Sequence, residues 1–210
     1  MATRKYRKQP RKYEKKRRAE QQAETRQRIV EAMVELHREV GPVRTTISAI
    51  AERAGVERLT VYRHFPDERS MFEACTSHYA TQVPSPDPAA WETIEDPAER
   101  LRAALLAFYD YYRRAEDVLT HAVRDVPQLP ALAAVLRPRE EFVRQVREIL
   151  VEAWDAPEAA RPRLAAAIAH ALRFETWRSL ARLEDLGDRE VADLMVTLAQ
   201  SAAVGGALSP

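Results

Sequence analysis

Apolar residues recur along this chain at the three- and four-residue spacing of helices, and no segment shows the two-residue alternation of a half-buried strand. Between residues 20 and 40, Ile29, Ala32, Met33, Leu36 and Val40 fall on one face, and Gly41-Pro42 closes the run. A short helix is predicted over 47–54, with Thr45 or Thr46 as N-cap and Ile47, Ile50, Ala51 and Ala54 inward. Gly55 interrupts the pattern, a third helix fits 58–64, and Asp67 caps a fourth carrying Met71, Phe72 and Cys75. Pro84, Pro86 and Pro88 then read as a stiff linker. Asp96-Pro97-Ala98-Glu99 is a strong helix start, an N-cap followed by proline at the first helical position. The helix it opens carries Leu101, Ala104, Leu105, Phe108 and Tyr112 on one side. Further helices are expected over about 116–124, 129–136, 138–154, 162–184 and 189–203.

The predicted architecture is all-α with about nine to ten helices in four parts. These are an arm over 1–19, expected to be disordered, a helix-turn-helix domain over 20–82, a helical domain over 83–204, and a frayed tail over 205–210. Five glycines in 210 residues, with Ala, Leu, Arg and Glu dominant, suit such a fold. No apolar run is long enough to cross a bilayer, and none follows the basic N-terminus as a secretory signal requires. A single cysteine, Cys75, leaves no internal disulfide and no thiolate cluster. The expected compartment is the cytoplasm.

Charge changes the picture more than composition does. Residues 1–18 hold ten Lys and Arg against Glu14 alone, a balance of +9, so with a net charge of +1 the remainder sums to −8. Such an arm suggests a polyanionic partner at one end of the molecule. Arg4, Lys5, Arg7, Lys8, Arg11 and Lys12 are the candidate contacts, along a phosphate backbone or in a minor groove.

The most informative stretch is TTISAIAERAGVERLTVYRHF, residues 45–65. Two short helices flank Gly55, where a residue without Cβ takes positive φ, and Val56 plugs the second helix against the first. Arg58, Thr60, Tyr62, Arg63 and His64 crowd hydrogen-bond donors onto the second helix, while Val61 and Phe65 are expected to be buried. Arg suits guanine, and Tyr, Thr and His suit phosphate oxygens.

Taken with RQRIVEAMVELHREVG before them and Met71-Phe72 after, the blocks TTISAIAERAGV and TVYRHF resemble the DNA-binding domain of the tetracycline-repressor (TetR) family. The resemblance covers about a quarter of the chain strongly. It implies a homodimer that sets one recognition helix per subunit into the major groove of a palindromic operator. Thr46, Tyr62 and His64 would hold phosphates, and Arg58, Leu59, Thr60 and Arg63 would face bases. Glu57 stands where the family usually has a capping Ser, and Glu68 where it usually has a phosphate-binding Lys, a contact that Arg69 would replace.

The resemblance also implies that the last two helices pair with those of a second subunit, with Leu172, Leu180, Val191, Leu194, Met195 and Leu198 at the interface. An effector pocket is expected among Phe108, Tyr109, Tyr112, His121, Phe142, His170, Phe174 and Trp177, for a largely apolar small molecule with one or two polar anchors. No His-x3-His run, Gly-rich phosphate loop or nucleophile elbow occurs, so no metal, cofactor or catalytic activity is expected. The reading is a ligand-responsive, sequence-specific transcriptional regulator, a repressor released by its ligand. The alternative is a non-catalytic helical interaction protein whose arm binds RNA or other polyanions without base preference.

Overall fold

In the computed structural model, which describes residues 10–204 and side chains from residue 13 onward, ten α-helices follow one another. They are α1 (Pro10–Glu39), α2 (Ile47–Ala54), α3 (Arg58–His64), α4 (Glu68–Gln82), α5 (Pro97–Arg114), α6 (Glu116–Asp125), α7 (Pro130–Glu152), α8 (Arg161–Ala171), α9 (Phe174–Arg178) and α10 (Asp188–Ala203). No strand occurs among the described residues. No described helix is long and apolar enough to cross a membrane.

Two apolar clusters organise these helices. The first joins Ile29, Met33 and Leu36 of α1 to Ile50, Ala54, Val61, Phe65 and Cys75, and so carries α2 to α4. The second gathers Leu101, Leu105, Phe108, Leu150, Leu164, Ile168, Trp177, Val191 and Met195 from the later helices. Tyr79 of α4 packs against both. Trp91, three residues beyond the prolines read as a linker, is buried and lies 6.1 Å from the Phe108 ring. That segment is thereby pinned to the second cluster.

Several helix starts rest on the caps expected of them. Thr46 accepts from the Ala49 N–H at 3.1 Å, Asp67 from Ser70 at 2.7 Å and Asp96 from Glu99 at 2.8 Å. Glu57 precedes α3 with extended backbone but caps nothing with its side chain.

Three boundaries differ from expectation. The first helix starts at Pro10, inside the stretch assigned to a disordered arm. Lys, Arg, Glu, Gln and Ala are good helix formers, and Lys16 pairs with Glu20 one turn on at 3.7 Å. Arg4, Lys5, Arg7 and Lys8 lie outside the described residues, as do the side chains of Arg11 and Lys12 and the tail over 205–210.

The helices expected over 129–136 and 138–154 are one, α7, which continues through Pro138. This proline is exposed, so water can serve the carbonyl one turn back that its missing N–H leaves free. The single helix expected over 162–184 is broken instead. Arg173 is extended between α8 and α9, and a π-helical turn at Ser179–Leu183 follows. Tyr109 and Tyr112 of α5 donate their hydroxyls to the carbonyls of Ala171 and Leu172 at this break, the first at 3.0 Å. Those groups replace the helical partners that the kink removes.

Candidate nucleic-acid interface

Gly55 has φ 63° and ψ 42°, the left-handed conformation that turns the chain tightly from α2 into α3. Val61 and Phe65 are buried beneath α3, which fixes its inner face. Its outer face then follows from helical geometry. Arg58, Leu59, Tyr62 and Arg63 are exposed, Leu59 at 76% and Tyr62 at 47% relative accessibility, while Thr60 and His64 are half-buried. Neither Arg58 nor Arg63 makes an ion pair among the described residues, whereas Arg38, Arg53, Arg102, Arg113 and Arg182 each do. Thr46 is exposed at the start of α2.

Local electrostatics divide these side chains. Burial, helped by the charges of Arg63 and Arg26, lowers the pKa of His64 and favours the neutral ring. Arg26 of α1 lies over the Phe65 ring at 4.8 Å, so it adjoins the C-terminal end of α3. Arg69 is exposed and its Nε bonds Glu73 at 2.8 Å within α4. A phosphate would have to draw it out of that pair.

The turn and helix sit on a scaffold tied to the second cluster. Arg53 bridges α2 to Glu35 and Glu39 of α1, and Arg28 donates to the Ala54 carbonyl at 3.2 Å. At the far end of α1, Gly41 has φ 88° and lies against α6, where an added Cβ would come within 2.7 Å of Asp125 Oδ2. Asp125 is almost fully buried, paired with Arg124, and accepts from the Val43 N–H at 3.0 Å. These bonds hold its carboxyl below the usual carboxylate range. Arg124 also donates to the Val40 carbonyl, and Arg38 pairs with Asp117 at 2.7 Å. Between the two halves lies a cavity of about 450 Å³, lined among others by His37, Ile50, Tyr62, Phe72 and Leu129.

The residues expected to form an effector pocket separate into three places. Phe108, Tyr109, Tyr112, Phe142, Phe174 and Trp177 form one ring cluster, with centroids 5.6 Å apart for Tyr112 and Phe174 and 6.4 Å for Phe108 and Phe142. All but Phe142 are buried. His121 stands on α6 beside Gly41, its Nδ1 buried without a hydrogen-bond partner among the described residues. His170 is exposed, with its ring 3.3 Å from the Thr176 hydroxyl. The histidines therefore do not supply polar anchors inside the ring cluster.

The expected interface residues also divide. Leu172, Val191 and Met195 belong to the chain's own core, and Leu180 is half-buried against it. Leu194 and Leu198 are exposed on α10, at 46% and 43%. Sequence periodicity identified α10 as apolar but did not separate these two faces.

The segment that builds this interface, residues 29–75, matches the family described as bacterial regulatory proteins, tetR family. Over that segment the chain is similar to tetR-family regulators. An uncharacterized HTH-type transcriptional regulator of Mycobacterium tuberculosis is 48% identical over 59 residues, 28% of this chain and 31% of that protein. The HTH-type transcriptional activator FasR of Mycolicibacterium smegmatis is 36% identical over 62 residues, 30% of this chain and 28% of that one. The matches thus span less than a third of these relatives' lengths. A TetR-like regulator structure from Rhodococcus sp. RHA1 covers 87% of this chain and 97% of its own, with a TM-score of 0.61 at 20% identity. The two chains thus share a fold that runs through the later helices.

Proposed function

We propose that the chain is a sequence-specific DNA-binding transcriptional regulator that reads a palindromic operator as a homodimer and is released from it by a small molecule. One observation carries this reading. The outer face of α3 presents Arg58, Leu59, Tyr62 and Arg63 to solvent, with neither arginine engaged in an ion pair among the described residues. A guanidinium left open on a short, rigidly mounted helix is suited to bidentate pairing with a guanine edge. Thr46, Tyr62 and His64 flank it as phosphate contacts, Thr60 with Leu59 and the arginines faces bases, and Arg69 adds a phosphate contact from α4.

A largely apolar effector entering the ring cluster of α5, α7 and α9 would part Tyr109 and Tyr112 from the α8–α9 break. It would act by favouring a conformation in which the two reading heads misfit successive grooves. Leu194 and Leu198 supply the exposed apolar surface for the second subunit.

Selection of sites from random duplex DNA by the full chain tests the reading. An enriched inverted repeat with half-sites about one helical turn or more apart is the expected result. Arg58→Ala and Arg63→Ala should each relax specificity at one base position per half-site, at a cost of about 1–3 kcal/mol. Retention of DNA with no enriched sequence would instead support the interaction-protein alternative.

A further inference from the structure

Twelve consecutive residues of α1, 13–24, are exposed, and the first buried residue of the helix is Ile29. At 1.5 Å per residue, roughly 18 Å of helix stands clear of the body. It has no apolar face with which to dock on another helix or to lie in a lipid surface.

Its charges are not spread evenly. Lys15, Arg18, Gln22 and Arg26 follow one another at three- and four-residue steps and share one face, while Glu20, Glu24 and Glu31 share the opposite one. Arg11 precedes Lys15 in the sequence at the same spacing. The basic face ends at Arg26, whose guanidinium lies over Phe65 at the C-terminal end of α3. The stripe therefore runs down to the C-terminal end of α3.

We propose that this face of α1 is a second DNA-binding element, in which Lys15 and Arg18 contact phosphates of the duplex flanking the half-site read by α3. The proposal rests on the DNA-binding reading above and adds a location and a mode of contact. A helix about 10–12 Å across does not fit a minor groove about 6 Å wide, so this segment follows the backbone rather than entering the groove. Contact with phosphates alone adds affinity without sequence preference and makes it strongly salt-dependent.

The test compares two double variants of the full chain on a selected site with long flanks. Lys15→Gln/Arg18→Gln removes the two proposed phosphate contacts from the basic face. Lys16→Gln/Arg17→Gln removes the same charge from the rest of the circumference, and Gln keeps the helix propensity in both. The first variant should lose about tenfold or more in affinity at physiological salt. Its salt slope should shrink by about 0.9 for each lost phosphate contact, close to 2 per protomer. Hydroxyl-radical protection outside the half-sites should disappear with it, while the second variant behaves as the parent. Equal losses in both variants would reduce the stripe to diffuse attraction and overturn the proposal, as would an unchanged slope in the first. If the parent chain selects no site, the regulatory reading fails. The same pair on random duplex then still decides whether the Lys15–Arg18 face binds phosphates.

Discussion

His37 is a polar residue on a face of α1 that otherwise buries Val30 and Val34. Its Nδ1 lies 3.2 Å from the Cys75 sulfur and its ring 5.9 Å from Phe72. Burial pushes its pKa down to about 4, against a smaller opposing pull from Asp125. The sign of the consequence is fixed. Above pH 6.5 the ring is neutral in both the folded and unfolded chain, and its burial costs no proton. Between pH 6.5 and about 4 the unfolded chain takes up a proton that the fold refuses, so stability falls with pH. From pH 7 to 5 the loss should be about 2 kcal/mol, and His37→Gln should flatten that part of the curve. Urea midpoints at the two pH values check this, and an unchanged slope in the variant would assign the loss to other groups. At this scale the sequence was legible where the signal is local. Gly55, Thr46, Asp67 and Asp96 act through neighbours one to three residues away. His37 was missed because its burial comes from α4, far along the chain. Glu57, standing where the resemblance implies a capping Ser, makes no side-chain cap, since an acid at that position can cap but need not.

At the scale of elements, the break between α8 and α9 depends on two tyrosine hydroxyls rather than on a breaker residue. The 162–184 run contains no glycine, and its only proline is Pro162 at the start of the run, so periodicity alone predicts an unbroken helix there. The kink is tertiary in origin, because α5 offers Tyr109 and Tyr112 as alternative partners for the Ala171 and Leu172 carbonyls. Burial raises the pKa of both phenols, so they remain donors across the range in which the protein is handled. Replacing either tyrosine by Phe leaves a buried carbonyl without its donor and should cost about 1 kcal/mol, or about 2–4 °C in Tm. Thermal melts of the two single variants and the double read this directly. A double variant as stable as the parent would mean that the helix simply closes across the kink. Pro138 is the converse case, a breaker residue tolerated because its side of α7 faces water.

For the whole molecule, the fold class and the helix-turn-helix segment were legible from the sequence, while the partition of the apolar surface was not. Leu172, Val191 and Met195 have the same helical spacing as Leu194 and Leu198, yet the first three fill the chain's own core. Hydrophobic period marks a face as buried without saying against which partner. Glutamate at both Leu194 and Leu198 should therefore leave the fold intact, since both are exposed, and give a monomer by sedimentation. That variant should also bind an inverted repeat far more weakly than the parent, because on the proposed reading each head alone holds only a half-site. A variant that remains dimeric would move the interface elsewhere on the surface. The chain's one cysteine lies in the α1–α4 cluster. Cys75 is buried, and its thiol is pushed up to about 12, so almost none of it is the reactive thiolate at neutral pH. Any alkylating reagent must wait for α1 and α4 to part, which makes the rate of Cys75 labelling an intrinsic clock for opening of the head. Run with and without operator DNA, that clock reports how firmly the duplex holds the head closed, with no probe added to the chain.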